Sequence, residues 1–277
     1  MKMAFVRRLT VFAITAVMLT ACSKVDKGPS DTSSTSMPTK RRGKATIGIF
    51  RPSIATFSLR NSFTPGFSDI SVKFGQAGDI PLAGDWDGNG SLTVGVYRPD
   101  NSTFYLRNSN TDGTADVTVA FGVNGDIPVV GDWDGNGTTT IGVFRPNEST
   151  FYLKNSNSDG PADLVAKYGM SGDRPIVGDW DGNGTTTIGV YRPNISVFML
   201  RNSNTAGEPD VVVTYGSAGD VPVVGDWDGN GTTTIGIYRP SLSLFSLRNS
   251  NSVGDADITV TFGSSGDIPL VGDWHNK

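Results

Sequence analysis

The 277-residue chain has a single cysteine, a single histidine and only two glutamates, Glu148 and Glu208. One cysteine, Cys22, excludes any disulfide within the chain. One histidine, His275, and two glutamates leave little from which to assemble a general acid–base pair. No apolar run approaches the roughly 20 residues of a membrane-spanning helix. The nearest candidate, residues 9–19, is short and broken by threonines. No segment shows a helical period. From Gly43 onward there are 15 Lys and Arg against 25 Asp and Glu. That acidic excess lacks the basic face a phosphate backbone requires, so nucleic acid is excluded as the expected partner.

What is present begins with an export pattern. Lys2, Arg7 and Arg8 precede the apolar run, and small residues follow it, as in a cleaved signal over residues 1–21. Leu19-Thr20-Ala21-Cys22 resembles the lipobox of bacterial lipoproteins. The resemblance implies lipid on Cys22, and multiple acyl chains would give stable membrane anchoring. The alternative is an ordinary signal with an incidental cysteine. Ser23 stands where inner-membrane lipoproteins of this type carry Asp, which implies the outer membrane or cell surface. Residues 22–42 are polar and turn-forming, with too little apolar surface to offset the entropy of ordering; they read as a tether.

From residue 43 the sequence is a repeat. Tryptophans fall at 86, 133, 180, 227 and 274, a constant step of 47 residues. Arg-Pro recurs at 51, 98, 145, 192 and 239, and an aromatic-Gly pair at 74, 121, 168, 215 and 262. This period lies between those of the WD40 and kelch propellers. Each unit reads as four short strands, in the second unit residues 126–131, 139–146, 149–155 and 163–169. β-branched and aromatic residues fill them, and Gly, Asn, Asp, Ser or Pro divide them. The last strand alternates best, as an outer half-exposed strand should. The expectation is an all-β, five-bladed β-propeller over residues 43–277. Residues 267–274 supply the first strand of a blade whose second strand is at 45–52, so the ring would close by pairing the two. If Val130 faces Ile141, antiparallel register sets Asp126 opposite Arg145. The same step sets Asp79 near Arg98, Asp173 near Arg192, Asp220 near Arg239 and Asp267 near Arg51. Exposed, such pairs would contribute only about 0–1 kcal/mol each.

The stretch "FGVNGDIPVVGDWDGNGTTTIGVFRP" (121–146) resembles the FG-GAP repeat of integrin α-chain propellers and their bacterial relatives. The resemblance covers all five units. It implies a calcium-holding loop between the first and second strands of a blade, in up to four copies. Carried over, the ligands are Asp85, Asp87, Asn89, the Ser91 carbonyl and Thr93 in the first loop. In the second they are Asp132, Asp134, Asn136, the Thr138 carbonyl and Thr140. The third offers Asp179, Asp181, Asn183, the Thr185 carbonyl and Thr187, and the fourth Asp226, Asp228, Asn230, the Thr232 carbonyl and Thr234. Two carboxylates per loop and no bidentate Glu imply weak, millimolar-range Ca²⁺ binding. The competing reading is a glycine-rich hairpin whose Asp and Asn bond their own backbone amides. In the fifth loop His275 and Lys277 replace Asp and Asn, and no ion is expected there.

Trp86, Trp133, Trp180, Trp227 and Trp274 read either as platforms for sugar rings or as core where blades meet. The aromatic before Arg-Pro alternates between Tyr and Phe and reads as core. The expected function is a lipid-anchored, non-catalytic binding module, aided by calcium, that recognises glycans or a partner surface as a monomer. Fivefold repetition would let weak sites act together. The alternative is a structural or protein-docking lipoprotein with no small ligand.

Overall fold

The computed structural model of the chain describes residues 43–275. The signal segment, Cys22, the tether and Lys277 lie outside the described residues. Twenty strands form five four-stranded antiparallel sheets, each a blade. The only helical turns among the described residues are the 3₁₀ turns Pro52–Ile54 and Pro99–Asn101. Blade 2 consists of Ile127–Gly131, Thr140–Arg145, Thr150–Leu153 and Leu164–Lys167, in sequence order across the sheet. Blades 1, 3 and 4 repeat this pattern over residues 80–120, 174–214 and 221–261. Blade 5 is split: Ile268–Gly272 pairs with Thr46–Arg51, followed by Thr56–Leu59 and Ile70–Lys73. The first strands of neighbouring blades lie side by side, and Ile268–Gly272 lies beside those of both blade 4 and blade 1. The sheets therefore form a closed ring.

Val130 pairs with Ile141 across the first hairpin of blade 2, the register read from the sequence. The second strands are buried on both faces, as sandwiched strands must be, while the fourth strands alternate. Each core cluster spans two blades. Ile188 and Val190 of blade 3, for example, pack against Val129, Trp133, Phe144 and Phe151 of blade 2. The aromatic before Arg-Pro is buried in every unit, its ring 4.7–4.8 Å from the third-strand Phe. Burying apolar area between blades is what joins one repeat to the next.

The Gly-Asp-Trp motif has a steric logic. A Cβ on Gly131 would lie 2.5 Å from Thr186 Cγ2 of blade 3 and 2.7 Å from Trp133 Cζ3. Glycine thus lets the indole fold back over the strand while the next blade closes on it. The aspartate links the blades: Thr186 N–H donates to the Asp132 carbonyl (2.7 Å), and Asp132 N–H donates to Thr186 Oγ1 (3.1 Å).

Candidate functional site

The expected Asp–Arg pairs all form. Arg145 donates through Nε to Asp126 Oδ1 (2.9 Å) and through Nη2 to Oδ2 (3.0 Å). Arg98–Asp79, Arg192–Asp173, Arg239–Asp220 and Arg51–Asp267 repeat the fork at 2.7–2.9 Å. The pairs differ from surface pairs because each carboxylate side chain is only 1–2% exposed. Each also accepts a backbone N–H three residues earlier, Val123 to Asp126 at 2.9 Å. A charge this buried is held by its complete set of partners. Bonding to the carboxylate raises each of these arginines above the usual guanidinium range.

The acidic loops satisfy themselves. In the second, Asp132 accepts from the amides of Asn136 (2.9 Å) and Gly137 (2.8 Å). Asp134 accepts from Asn136 Nδ2 (3.0 Å), and Asn136 Oδ1 accepts from Thr138 N–H (2.8 Å). Asp179, Asp181 and Asn183 repeat this scheme, as do Asp226, Asp228 and Asn230; in the first loop Asp85 accepts from Gly90 N–H (2.7 Å), Asp87 from Asn89 Nδ2 and Asn89 Oδ1 from Ser91 N–H. Burial raises the pKa of Asp179 and of Asp226, against the amides that bond the ionised form. The ninth-position threonines do not face the loop as free ligands. Thr140 is a buried strand residue whose hydroxyl donates to the Gly131 carbonyl, and Thr93, Thr187 and Thr234 do likewise at 3.2 Å. With the threonine hydroxyls so engaged, the expected calcium set is reduced to two carboxylates, one amide oxygen and the carbonyl of Ser91, Thr138, Thr185 or Thr232. Four protein oxygens leave the remainder of a six- to eight-fold shell to water. Among the described residues no three His, Cys, Asp or Glu side chains gather where they would hold a metal ion. In the fifth loop His275 Nδ1 lies 2.9 Å from Asp273 Oδ1.

Of the two readings of the tryptophans, platform or core, the structure bears out core. All five are at most 5% exposed, and each indole N–H reaches a backbone carbonyl, as Trp133 Nε1 reaches Ile141 O at 3.3 Å. No ring face is left for a sugar.

Surface concavity lies instead between blades. A groove of about 370 Å³ runs between the outer strand of blade 1 and the face of blade 2, lined by Phe121, Gly122, Val143, Arg145 and Tyr152 among others. Another of about 500 Å³ lies one repeat on, between blades 2 and 3, lined by Tyr168, Gly169, Val190, Arg192 and Met199. Eight lining positions coincide at the 47-residue step; Asn101 and Ser102 line only the first groove, and Met170, Glu208 and Val212 only the second. In the first, Arg145 stacks on Tyr152 at 4.6 Å, and the Tyr152 hydroxyl donates to Glu148 at 2.5 Å. That bond lowers the Glu148 pKa and raises that of Tyr152. In the second, Ile195 and Met199 replace Glu148 and Tyr152. The Tyr168 hydroxyl is buried there without a hydrogen-bond partner, and burial pushes its pKa up to about 12.

Sequence reasoning missed these grooves and a cation under each third-to-fourth-strand loop, buried in every unit but that of Arg201. Arg107 Nη1 donates to the Thr114 carbonyl, and Nη2 to Ser109 Oγ (3.0 Å) and Thr111 Oγ1 (2.9 Å). Arg60, Arg201 and Arg248 hold the corresponding loops, and Lys154 holds that of blade 2 through one bond to the Pro161 carbonyl (2.9 Å). The Arg/Lys-Asn-Ser repeat, with Asp nine residues after the cation, was the available signal.

No family model matches the chain, and no curated protein matches it. A solved structure it is similar to is that of an Agrocybe aegerita lectin, described as specifically recognising non-reducing terminal N-acetylglucosamine. The identity is 17% and the TM-score 0.42, over 79% of this chain and 65% of the lectin. The match therefore spans slightly less than two thirds of that lectin.

Proposed function

We propose that the chain is a non-catalytic binding module of the cell envelope that recognises glycans or a partner surface through the grooves between its blades. The observation that carries this reading is recurrence: corresponding residues of consecutive repeats line two grooves of small-molecule size. Each combines apolar walls with a fixed guanidinium, and a ring of weak sites gains from avidity. The recurring buried aspartates are committed to arginines and backbone amides, which supports binding over catalysis. Under this reading the FG-GAP resemblance supplies the architecture. Cys22 carries lipid and holds the monomer at the outer membrane or cell surface. Ca²⁺ in the four intact loops stiffens the scaffold weakly.

The second reading, a docking lipoprotein without a small ligand, draws on one observation. Ile54, Ile195 and Leu242 stand more than half exposed at equivalent turn tips of blades 5, 3 and 4. A glycan array probed with the purified chain, in calcium and in chelator, separates the two. The first reading expects glycan binding that Met199→Trp weakens by filling the larger groove. An array without a hit would leave the docking reading in its place. Calcium itself is checked by melting temperature: a rise at ~10 mM that chelator reverses is expected, and no shift would remove the metal.

A further inference from the structure

The blade interfaces differ in one repeated detail. The fourth-strand residue paired with the start of the third strand turns its N–H outward, toward the next blade. At Lys73 and Ala120 this outward amide is capped by an aspartate from the next blade. Lys73 N–H donates to Asp112 Oδ1 (2.7 Å), and Ala120 N–H donates to Asp159 Oδ1 (3.2 Å). Lys167 occupies the same register, paired with Thr150 as Lys73 is with Thr56. Tyr168 N–H points inward to the Ser149 carbonyl (2.8 Å), so the Lys167 amide points out into the groove between blades 2 and 3. Alanine, Ala206, stands where Asp112 and Asp159 stand, and it has no acceptor to offer. Blade 2 thus keeps the lysine found at Lys73 while blade 3 lacks its carboxylate.

Charge points the same way. At the groove between blades 1 and 2, Glu148 bonds the lining residues Tyr152 and Arg145 and Asp159 caps the lining Ala120 amide, besides the Arg145–Asp126 pair. Between blades 2 and 3, Ile195 and Ala206 replace both acids and Lys167 is added. Glu208 is the one opposing charge lining that groove beyond the Arg192–Asp173 pair. This groove is also the larger, about 500 against 370 Å³. Tyr168, Val190, Met199 and Pro209 give it apolar walls.

Resting on the glycan reading above, we propose that the groove between blades 2 and 3 is a site for an acidic sugar, whose carboxylate takes the place Asp112 and Asp159 fill in the neighbouring interfaces. The carboxylate accepts from the Lys167 amide beside the Lys167 ammonium. The C–H face of the sugar ring lies along the apolar wall, as Tyr and Met surfaces allow. One ring with one charge suits a dissociation constant on the order of millimolar.

The test is a titration of the ¹⁵N-labelled chain with D-glucuronate and, separately, with D-glucose, following the Lys167 amide. Saturable movement with glucuronate and little with glucose is expected. Ala206→Asp, which recreates the Asp-Gly pair native to blades 1 and 2, should weaken glucuronate at least about tenfold by internal competition. Val253→Asp, the same change one interface on, should leave Lys167 unaffected. Glu208→Gln should tighten binding about threefold by removing the like charge. An immobile Lys167 amide at 50 mM (roughly fifty times the expected constant), an equal response to glucose, or indifference to Ala206→Asp would each overturn the proposal. Array hits confined to neutral glycans would overturn it too, yet leave the binding-module reading standing.

Discussion

Blade 2 and blade 5 make the same sheet in different ways. In blade 2 an eight-residue loop joins first and second strands covalently. In blade 5 the corresponding strands are Ile268–Gly272 and Thr46–Arg51, joined only by contacts. Those contacts copy the intact blades: Arg51 grips Asp267 at 2.7 and 2.8 Å, and Trp274 Nε1 reaches Ile47 O at 3.1 Å. The junctions beside the split are poorer. Thr139, Thr186 and Thr233 each make a backbone and a hydroxyl bond to the aspartate of the preceding loop. At the junction of blades 4 and 5, Ala45 retains only the backbone bond to Asp226 (2.8 Å). At the junction of blades 5 and 1, Leu92 stands in the threonine position. Closure therefore rests on strand pairing and apolar packing more than on the junction bonds, and the ring is weakest where its ends meet.

The largest effect that follows is loss of the closing strand. A chain ending at Ser265 leaves Thr46–Arg51 without its inner neighbour and exposes an edge. Light scattering should show aggregates or strand-exchanged oligomers, whereas a chain ending at Trp274 should remain a folded monomer. Next comes the ion-pair fork. Arg145→Met should cost about 1.5–3 kcal/mol in chemical denaturation, because a buried carboxylate loses its charged partner. Arg51→Met should cost less, since the Arg51 side chain is 41% exposed against 23% for Arg145, and solvent already shares its charge. Equal losses would mean that exposure does not separate the two blades.

A smaller gain should come from repairing a junction. Ala45→Thr supplies the hydroxyl that Thr139, Thr186 and Thr233 use, worth about 0.5–1.5 kcal/mol if Asp226 N–H finds it. Smallest is a pH effect away from the seam. The raised Tyr168 pKa means that folding favours the protonated phenol. Its contribution is complete below the ordinary value of 10.0 and is lost as pH rises through about 12. Tyr168→Phe should flatten the fall in stability over that window, and an unchanged slope would assign the fall to other groups.

The architecture was legible because the period, the Gly-Asp-Trp motif and the Arg-Pro step all fall at one spacing, and strand register then follows from the hairpin. Even the Asp267–Arg51 contact, 216 residues apart, came from that step. The grooves were not legible. Residues 120–122 meet residues 143–162 only because one blade leans on the next, and no pattern within a repeat says which side chains cross that boundary. The tryptophans were half legible: the sequence offered platform or core, and the space over Gly131, where the indole lies beneath the neighbouring blade, selects core. Thr140 entered the ligand set through the FG-GAP resemblance alone; the strand read from the sequence at 139–146 already contained it, and its hydroxyl is used within that hairpin.

Hydrogen exchange on the purified chain, with and without an array hit, tests the central claim most directly. Inter-blade recognition predicts slowed exchange over residues 167–170 and 206–212, with the acidic loops unchanged. Slowing confined to the loops at 84–93, 131–140, 178–187 and 225–234 would contradict it and move the site to the acidic face.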